Sequence, residues 1–123
     1  VAPFLDKDSW EQSITAARRA IELVKPSIIV ASSRGAAVAM ATNTPVPLVL
    51  IAPAWGKYCP WGACRASTII VHSKEDKVVP FKNSQKLAHS FGAELLEAGS
   101  NHRMNSEDVY EILAKIIKDK TKT

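Results

Sequence analysis

The hydrophobic positions near the start of the chain follow a helical pattern. Ser9 can cap a helix, and Gln12, three positions later, is the reciprocal partner of a capping box. The apolar positions that follow are spaced three or four residues apart, as one face of a helix requires: Trp10, Ile14, Ala17, Ile21 and Val24. Pro26 ends the pattern, because proline cannot continue a helix. The pattern predicts an amphipathic first helix.

Continuous apolar runs then predict strands. They occupy residues 28–30, 48–51 and 68–71, and the short segment at residues 94–97 is a fourth strand candidate. Runs of this kind, rich in β-branched residues, are typical of strands that are buried on both faces. The runs are separated by segments long enough to hold helices, which indicates parallel rather than hairpin pairing.

Helical patterns lie between and after these runs. We predict a helix over the alanine-rich residues 34–40 and another that is capped by Asn83 or Ser84, whereas the aromatic-rich residues 55–62 are predicted as a loop. The last helix has five apolar positions on one face: Val109, Ile112, Leu113, Ile116 and Ile117. Strands that alternate with helices form parallel sheets covered by crossover helices. The expected fold is a three-layer α/β/α domain with a short, mainly parallel sheet of about four strands.

Composition and charge exclude several classes of protein. The 123 residues are 46% hydrophobic and 23% charged, which is ordinary globular usage and the size of one domain, residues 1–123. No apolar run approaches the ~20 residues that span a bilayer, and no export signal is visible, so we expect a cytoplasmic protein without a membrane partner. The net charge is +4, and no basic stripe is interleaved with aromatic residues. We therefore expect no nucleic-acid partner.

Cysteines and histidines do not form a metal-binding pattern. Cys59 and Cys64 could close a small loop disulfide, but two cysteines in a chain without an export signal are more often free thiols. Zinc would need two more ligands, and His72, His89 and His102 lie at unrelated spacings. We expect neither a metal nor an organic cofactor.

Three strand ends supply a serine, a carboxylate and a histidine. Ser33 follows the first predicted strand, Asp76 follows the third, and His102 follows the fourth. Chemistry in parallel sheets gathers beyond the carboxyl ends of the strands. A serine hydroxyl is a weak nucleophile until an imidazole takes its proton, and a carboxylate fixes the tautomer of that imidazole. The backbone N–H of Arg34, just after a sharp turn at the serine, would then stabilise an oxyanion. The sequence thus predicts a Ser-His-Asp catalytic triad.

Three segments resemble conserved loops of the α/β-hydrolase family, namely its nucleophile elbow, acid loop and histidine loop: Ala31-x-Ser33-x-Gly35, His72-Ser73-x-x-Asp76-x-x-Val79-Pro80 and Gly99-Ser100-Asn101-His102. Alanine replaces the first glycine of the family's G-x-S-x-G elbow. The order of nucleophile, acid and base also matches that of the family. The resemblance covers residues 28–117, which is most of the chain.

The resemblance implies a serine hydrolase that acts on small carboxylic esters or thioesters through an acyl-enzyme, with no cofactor. Trp55 falls where the family often builds part of its substrate pocket, and we assign the nearby Tyr58 to the same role. The expected partner is therefore a small acyl-ester substrate.

The chain departs from the family before its first helix. Family members begin with further strands and a loop that supplies a second oxyanion donor, and no such motif precedes Trp10. The chain could be the C-terminal part of a larger protein, or a minimal hydrolase that forms a dimer over the exposed edge of the strand at residues 28–30. Residues 3–5 are a candidate source of the second donor. Without that donor, the alternative is a non-catalytic binding or interaction domain that keeps the scaffold.

Several residues have competing interpretations. Ser33 could merely cap the alanine-rich helix, or help to bind a phosphate there, although no G-x-G-x-x-G or Walker pattern is present. Glu75 competes with Asp76 for the acid role. His72 is the rival base, but its place at the end of a strand favours a structural role, and His89 is expected to be solvated. Cys64 lacks the elbow that a nucleophile needs.

Overall fold

Helices and strands alternate throughout the part of the chain that the computed structural model describes, residues 9–120. The elements in chain order are α1 (Trp10–Val24), β1 (Ile29–Ser32), α2 (Ser33–Ala41), β2 (Leu48–Ile51), α3 (Trp55–Tyr58), β3 (Ile69–His72), α4 (Phe81–Phe91), β4 (Glu94–Glu97) and α5 (Glu107–Lys120). The four strands form one parallel sheet in the order β1-β2-β3-β4. Strands that are consecutive in sequence are therefore neighbours, and all four carboxyl ends lie at one edge of the sheet.

Two hydrophobic clusters lie on opposite faces of this sheet. On one face, Leu50 and Ile70 pack against Met40 of α2 and Leu87 of α4. On the other face, side chains of β2 and β3 pack against α5: Val49, Ile51, Val71, Val109 and Ile116. Alternate residues of each strand supply the two clusters, because successive side chains of a strand point to opposite faces. The predicted three-layer α/β/α fold is confirmed.

The first helix begins as predicted. Ser9 and Gln12 form a reciprocal capping box, and Lys25 ends the helix in the left-handed conformation with a φ of 51°. The predicted apolar stripe is one residue too long, because Val24 is 73% exposed. Side chains thus accept two of the backbone N–H groups at this end of the helix, those of Ser9 and Gln12, which defines the start of α1.

Several element boundaries differ from the predictions. Helix α4 begins at Phe81, directly after Pro80, so neither Asn83 nor Ser84 is its cap. The segment predicted as a loop at residues 55–62 contains the short helix α3. The first strand is β1 rather than residues 28–30. It is half-buried rather than covered on both faces, because it is one of the two outer strands of the sheet among the described residues.

No helix within residues 9–120 is long and apolar enough to cross a membrane.

Candidate active site

The carboxyl ends of β1, β3 and β4 bring the predicted serine, carboxylate and histidine into contact. Ser33 Oγ lies 2.9 Å from His102 Nε2, and His102 Nδ1 lies 2.7 Å from Asp76 Oδ2. The three residues are far apart in the chain, since 69 positions separate Ser33 from His102. Both distances are those of good hydrogen bonds. The hydroxyl, imidazole and carboxylate therefore form one continuous series.

A strained turn presents Ser33. This residue follows β1 directly and is the first residue of α2, with a φ of 49°. A non-glycine residue in this left-handed region costs roughly 1–3 kcal/mol, and such strain is concentrated at functional sites. The turn is held from the neighbouring strand end, because the N–H of Ala54 donates to the carbonyl oxygen of Ser33 over 3.1 Å. The conformation is the one that the predicted elbow requires.

Arg34 connects this elbow to two other helices. Its Nη2 donates to Ser13 Oγ of α1 over 3.1 Å. Its guanidinium also lies 5.9 Å from the ring centroid of Trp10 and 5.6 Å from that of Tyr58, and these two rings are stacked. The backbone N–H of Arg34 is in the first turn of α2, at the positive end of the helix dipole. The side chain thus anchors the turn, while the amide is of the kind that binds an anion.

Every lone-pair direction of the Asp76 carboxylate is used. Oδ1 accepts the backbone N–H groups of Val78 at 2.7 Å and Val79 at 2.8 Å. Oδ2 accepts from His102 Nδ1 and from His72 Nε2, which lies 2.9 Å away. Burial by itself would raise the pKa of this carboxyl, but the hydrogen bonds from His102, the two amides and His72 outweigh it and lower the pKa. Asp76 is therefore ionised at neutral pH.

The histidine loop is shaped by a glycine and by two side chains. Gly99 has a φ of 89°, and its N–H donates to Asp108 Oδ2 over 2.8 Å. The Gly99 carbonyl oxygen accepts the hydroxyl of Ser73 at 3.0 Å. Further along, the N–H of Met104 donates to Asn101 Oδ1 over 3.1 Å. These bonds join the loop to β3 and α5, on either side of His102.

His72 makes a contact that its position in the sequence does not indicate. A structural role was favoured for it, and the side chain is indeed fully buried at the end of β3. It nevertheless contacts Asp76 Oδ2, the same oxygen that His102 contacts. The spacing of four residues between His72 and Asp76 was visible in the sequence, but spacing in a loop does not specify a contact.

A small cleft opens beside Ser33. Its volume is about 180 Å³. It is lined by residues from the start of α2, from α3 and the residue before it, from the acid loop and from α4: Ser33, Ala54, Gly56, Lys57, Tyr58, Val78, Val79, Pro80 and Asn83. Tyr58, one of the two predicted pocket residues, is in this lining. Trp55 is not, because its ring packs against the core and its Nε1 donates to the carbonyl oxygen of Asn83 over 3.1 Å.

The competing residues lie elsewhere. Glu75 and His89 are exposed. Cys59 and Cys64 are free thiols, and burial raises the pKa of both. Within residues 9–120, no group of three or more histidine, cysteine or acidic side chains is arranged to hold a metal ion. Residues 3–5, the predicted source of a second oxyanion donor, lie outside the described residues.

Several solved structures share this fold. A hydrolase of the alpha/beta superfamily from Xanthomonas campestris pv. campestris is 20% identical with a TM-score of 0.75, and the match covers 89% of this chain and 68% of that one. A CIB-like hydrolase from Thermoplasma acidophilum is 20% identical with a TM-score of 0.72, and the match covers 93% of this chain and 60% of that one. Est1E from Butyrivibrio proteoclasticus is 13% identical with a TM-score of 0.76, and the match covers 94% of this chain and 72% of that one. The chain thus spans about two thirds of these proteins, and at such identities the likeness establishes the fold alone.

A search of the curated proteins found no match. A scan of protein families matches residues 56–119 to the family described as serine hydrolase. The matched region includes Asp76 and His102, and Ser33 precedes it. Because the match covers more than half of the chain, and because the fold is that of the α/β-hydrolases, the chain belongs to the serine hydrolase family.

Proposed function

We propose that the protein is a serine esterase or thioesterase that cleaves small acyl esters through an acyl-enzyme. The observation that carries the proposal is the unbroken series from Ser33 Oγ through both nitrogens of His102 to Asp76 Oδ2. An imidazole hydrogen-bonded on one side to a hydroxyl and on the other to an ionised carboxylate is arranged to accept the hydroxyl proton. In this proposal Ser33 is the nucleophile, His102 is the base, and Asp76 orients the base.

The first half of the reaction forms the acyl-enzyme. Ser33 Oγ bonds to the acyl carbon, His102 Nε2 takes the hydroxyl proton, and the electron pair of the carbonyl moves onto its oxygen. The N–H of Arg34 donates a hydrogen bond to this oxyanion. When the carbonyl re-forms, the bond to the alcohol or thiol breaks, and the leaving group takes the proton from His102.

The second half releases the acid. His102 removes a proton from a water molecule, whose oxygen bonds to the acyl carbon of the ester on Ser33. The collapse of this second tetrahedral intermediate breaks the bond to Ser33, which recovers its proton from His102. Asp76 stabilises the imidazolium that forms in each half and remains ionised throughout.

The cleft supports a small acyl group. Its volume of about 180 Å³ is below the roughly 300 Å³ at which pockets for drug-sized ligands begin. Val78, which lines it, is 70% exposed, so one wall is open to solvent. Short acyl chains fit such a cleft better than long ones, and hydrolysis of p-nitrophenyl esters should therefore slow as the chain is lengthened from acetate to octanoate.

The direct test compares two neighbouring serines. We expect Ser33→Ala to lower the turnover of p-nitrophenyl acetate by roughly 10⁴-fold or more, to background. Ser32→Ala is the matched control, because Ser32 is exposed and its side chain does not cap α2. Full activity in Ser33→Ala would exclude the proposed nucleophile. A folded wild-type protein with no activity towards any ester or thioester would favour the alternative, a non-catalytic binding domain.

A dimer remains a second, separate proposal. β1 is one of the two outer strands of the sheet within residues 9–120, and we propose that its edge pairs with that of a second copy. Analytical ultracentrifugation should then give twice the chain mass of 13.4 kDa. A protein that remains at the mass of one chain at high concentration would exclude the dimer.

A further inference from the structure

The buried histidine at the end of β3 is more than a core residue. His72 is 0% exposed, and both of its ring nitrogens have hydrogen-bond partners. Nε2 lies 2.9 Å from Asp76 Oδ2 and 3.1 Å from the carbonyl oxygen of Val79, and Nδ1 lies 2.6 Å from Ser84 Oγ. A buried imidazole is unfavourable unless its polar atoms are paired. Here they are all paired, and two of the partners belong to the acid loop.

These partners define the tautomer of His72. A carboxylate and a carbonyl oxygen can only accept, so Nε2 carries a hydrogen atom and donates it to both. Ser84 can donate its hydroxyl hydrogen, so Nδ1 accepts it. Burial also lowers the pKa of His72, although its bonds to Asp76 and Val79 oppose the shift. The ring is therefore neutral, with its hydrogen atom aimed at the acid loop.

The consequence for the carboxylate is geometric. Two backbone N–H groups hold Asp76 Oδ1, and His72 fixes the position of Oδ2 from the buried side. Without His72, Oδ2 would keep only His102, which is itself on a loop. The bond from His72 to the Val79 carbonyl also ties the acid loop to the rigid end of β3.

We propose that His72 is a positioning residue, a neutral donor that holds Oδ2 of Asp76 in line with His102 while Ser84 fixes its tautomer. The inference rests on the proposed function, since it assigns Asp76 the orienting role. His72 itself cannot touch a substrate, because it lies beneath the acid loop with no exposed surface.

Three variants test this role through kcat and KM for p-nitrophenyl acetate. His72→Leu fills the space but removes the donor, and we expect kcat to fall about 10–100-fold at an unchanged KM, since small displacements at a reacting centre have effects of this size. His72→Gln places an amide N–H near the position of Nε2, and we expect it to keep kcat within about fivefold of wild type. Ile70→Val is the matched control, because Ile70 is equally buried in β3 but belongs to the apolar cluster and should leave kcat unchanged.

A second measurement does not depend on turnover. The ¹H NMR resonance of the His102 Nδ1–H proton reports its bond to Asp76, and we expect it to shift or broaden in His72→Leu but not in His72→Gln. If the leucine variant does not fold, Ser84→Ala replaces it, with an expected two- to tenfold decrease in kcat because the tautomer is no longer fixed.

The outcomes separate this inference from the proposed function. A folded His72→Leu variant with wild-type kcat and an unchanged resonance would overturn the positioning role, and so would a glutamine variant as slow as the leucine variant. If the wild type hydrolyses no ester, the proposed function fails, and the resonance still decides whether His72 holds Asp76. If Ser33→Ala keeps its activity, Ser33 is not the nucleophile. The His102 Nδ1–H resonance of the His72 variants then decides whether His72 positions Asp76.

Discussion

Asp76 Oδ2 lies between two histidines whose surroundings are opposite. On the closed side, His72 is buried under the acid loop at the end of β3, and its far nitrogen is occupied by Ser84. On the open side, the side chain of His102 is 21% exposed, and its far nitrogen faces Ser33 at the edge of the cleft. The two contacts with the carboxylate are nearly equal, at 2.9 and 2.7 Å.

The difference shows that contact with a carboxylate does not make a histidine a base. The role depends on what the second ring nitrogen faces and on whether the imidazolium can be solvated. His72 is held neutral by burial and has no route to a substrate, whereas His102 faces a hydroxyl on a strained turn. His72, on the closed side, holds the carboxylate in position, and His102, on the open side, carries out the proposed proton transfer.

The largest effect on kcat is expected at Asp76, the residue that both histidines contact. Asp76→Asn removes the charge and supplies an NH₂ group that cannot accept from both histidines and both amides. In serine proteases the equivalent change lowers kcat about 10⁴-fold through the wrong tautomer of the base, and we expect a decrease of the same order here. Steady-state kinetics on p-nitrophenyl acetate measures it. A decrease of less than about tenfold would remove Asp76 from the mechanism.

On the open side, a substitution at Gly99 in the histidine loop should lower the stability of the protein. A Cβ at Gly99 would lie 2.9 Å from Met104 Sδ and 3.1 Å from Val109 Cγ2, and the φ of 89° is unfavourable for any other residue. We expect Gly99→Ala to lower the free energy of unfolding by about 1–3 kcal/mol. Urea denaturation measures the loss. Gly92→Ala is the matched control: it has a φ of 70° but only an ordinary contact with Ala66, so its loss should be smaller.

The closed side should make stability depend on pH. The pKa of His72 lies below its ordinary value of 6.5 because of burial, so the unfolded chain binds a proton at this site before the folded protein does. The free energy of unfolding should therefore decrease as the pH falls below 6.5. The pKa of Asp76 is also lowered, so the unfolded chain again binds the proton first. The free energy of unfolding should therefore decrease a second time as the pH falls below 3.8, the ordinary pKa of this group.

Urea denaturation at about pH 7.5 and about pH 5 measures the first decrease. His72→Gln has no proton to gain at this site, so its stability should change less over the same interval. An equal change in both proteins would show that His72 does not contribute.

The smallest effect is expected at the rival acid. Glu75 is exposed, and its backbone N–H, not its carboxylate, bonds to Ser73 Oγ. We expect Glu75→Gln to leave kcat within about twofold of wild type and the stability within about 0.5 kcal/mol. A decrease near that of Asp76→Asn would reverse the assignment of the acid.

The parts of the fold that depend on local pattern could be predicted from the sequence. Continuous apolar runs located the first three strands, and a capping box located the start of α1, because both signals involve neighbouring residues. The start of α4 was missed, since Pro80 fixes the chain direction there and Ser84, which looked like a cap, bonds to His72 instead. A serine's hydroxyl suits either role, and only packing decides between them.

The candidate site was predictable as far as chain order and parallel topology determine it. Residues that follow parallel strands must meet at one edge of the sheet, which is why Ser33, Asp76 and His102 could be named. His72, the second partner of Asp76 Oδ2, could not be named. The sequence pattern shows which face of a strand a side chain points to, but it does not show how far the following loop folds back over the end of that strand. The same limit applies to Trp55, whose indole turned towards Asn83 rather than the cleft.

The proposed nucleophile is tested most directly by the site of covalent labelling with a fluorophosphonate, read by mass spectrometry of the digested protein. We expect one adduct per chain, on the peptide that contains Ser33, at a rate that falls sharply in His102→Ala. An adduct on a different serine, or no adduct on a folded protein, would contradict it.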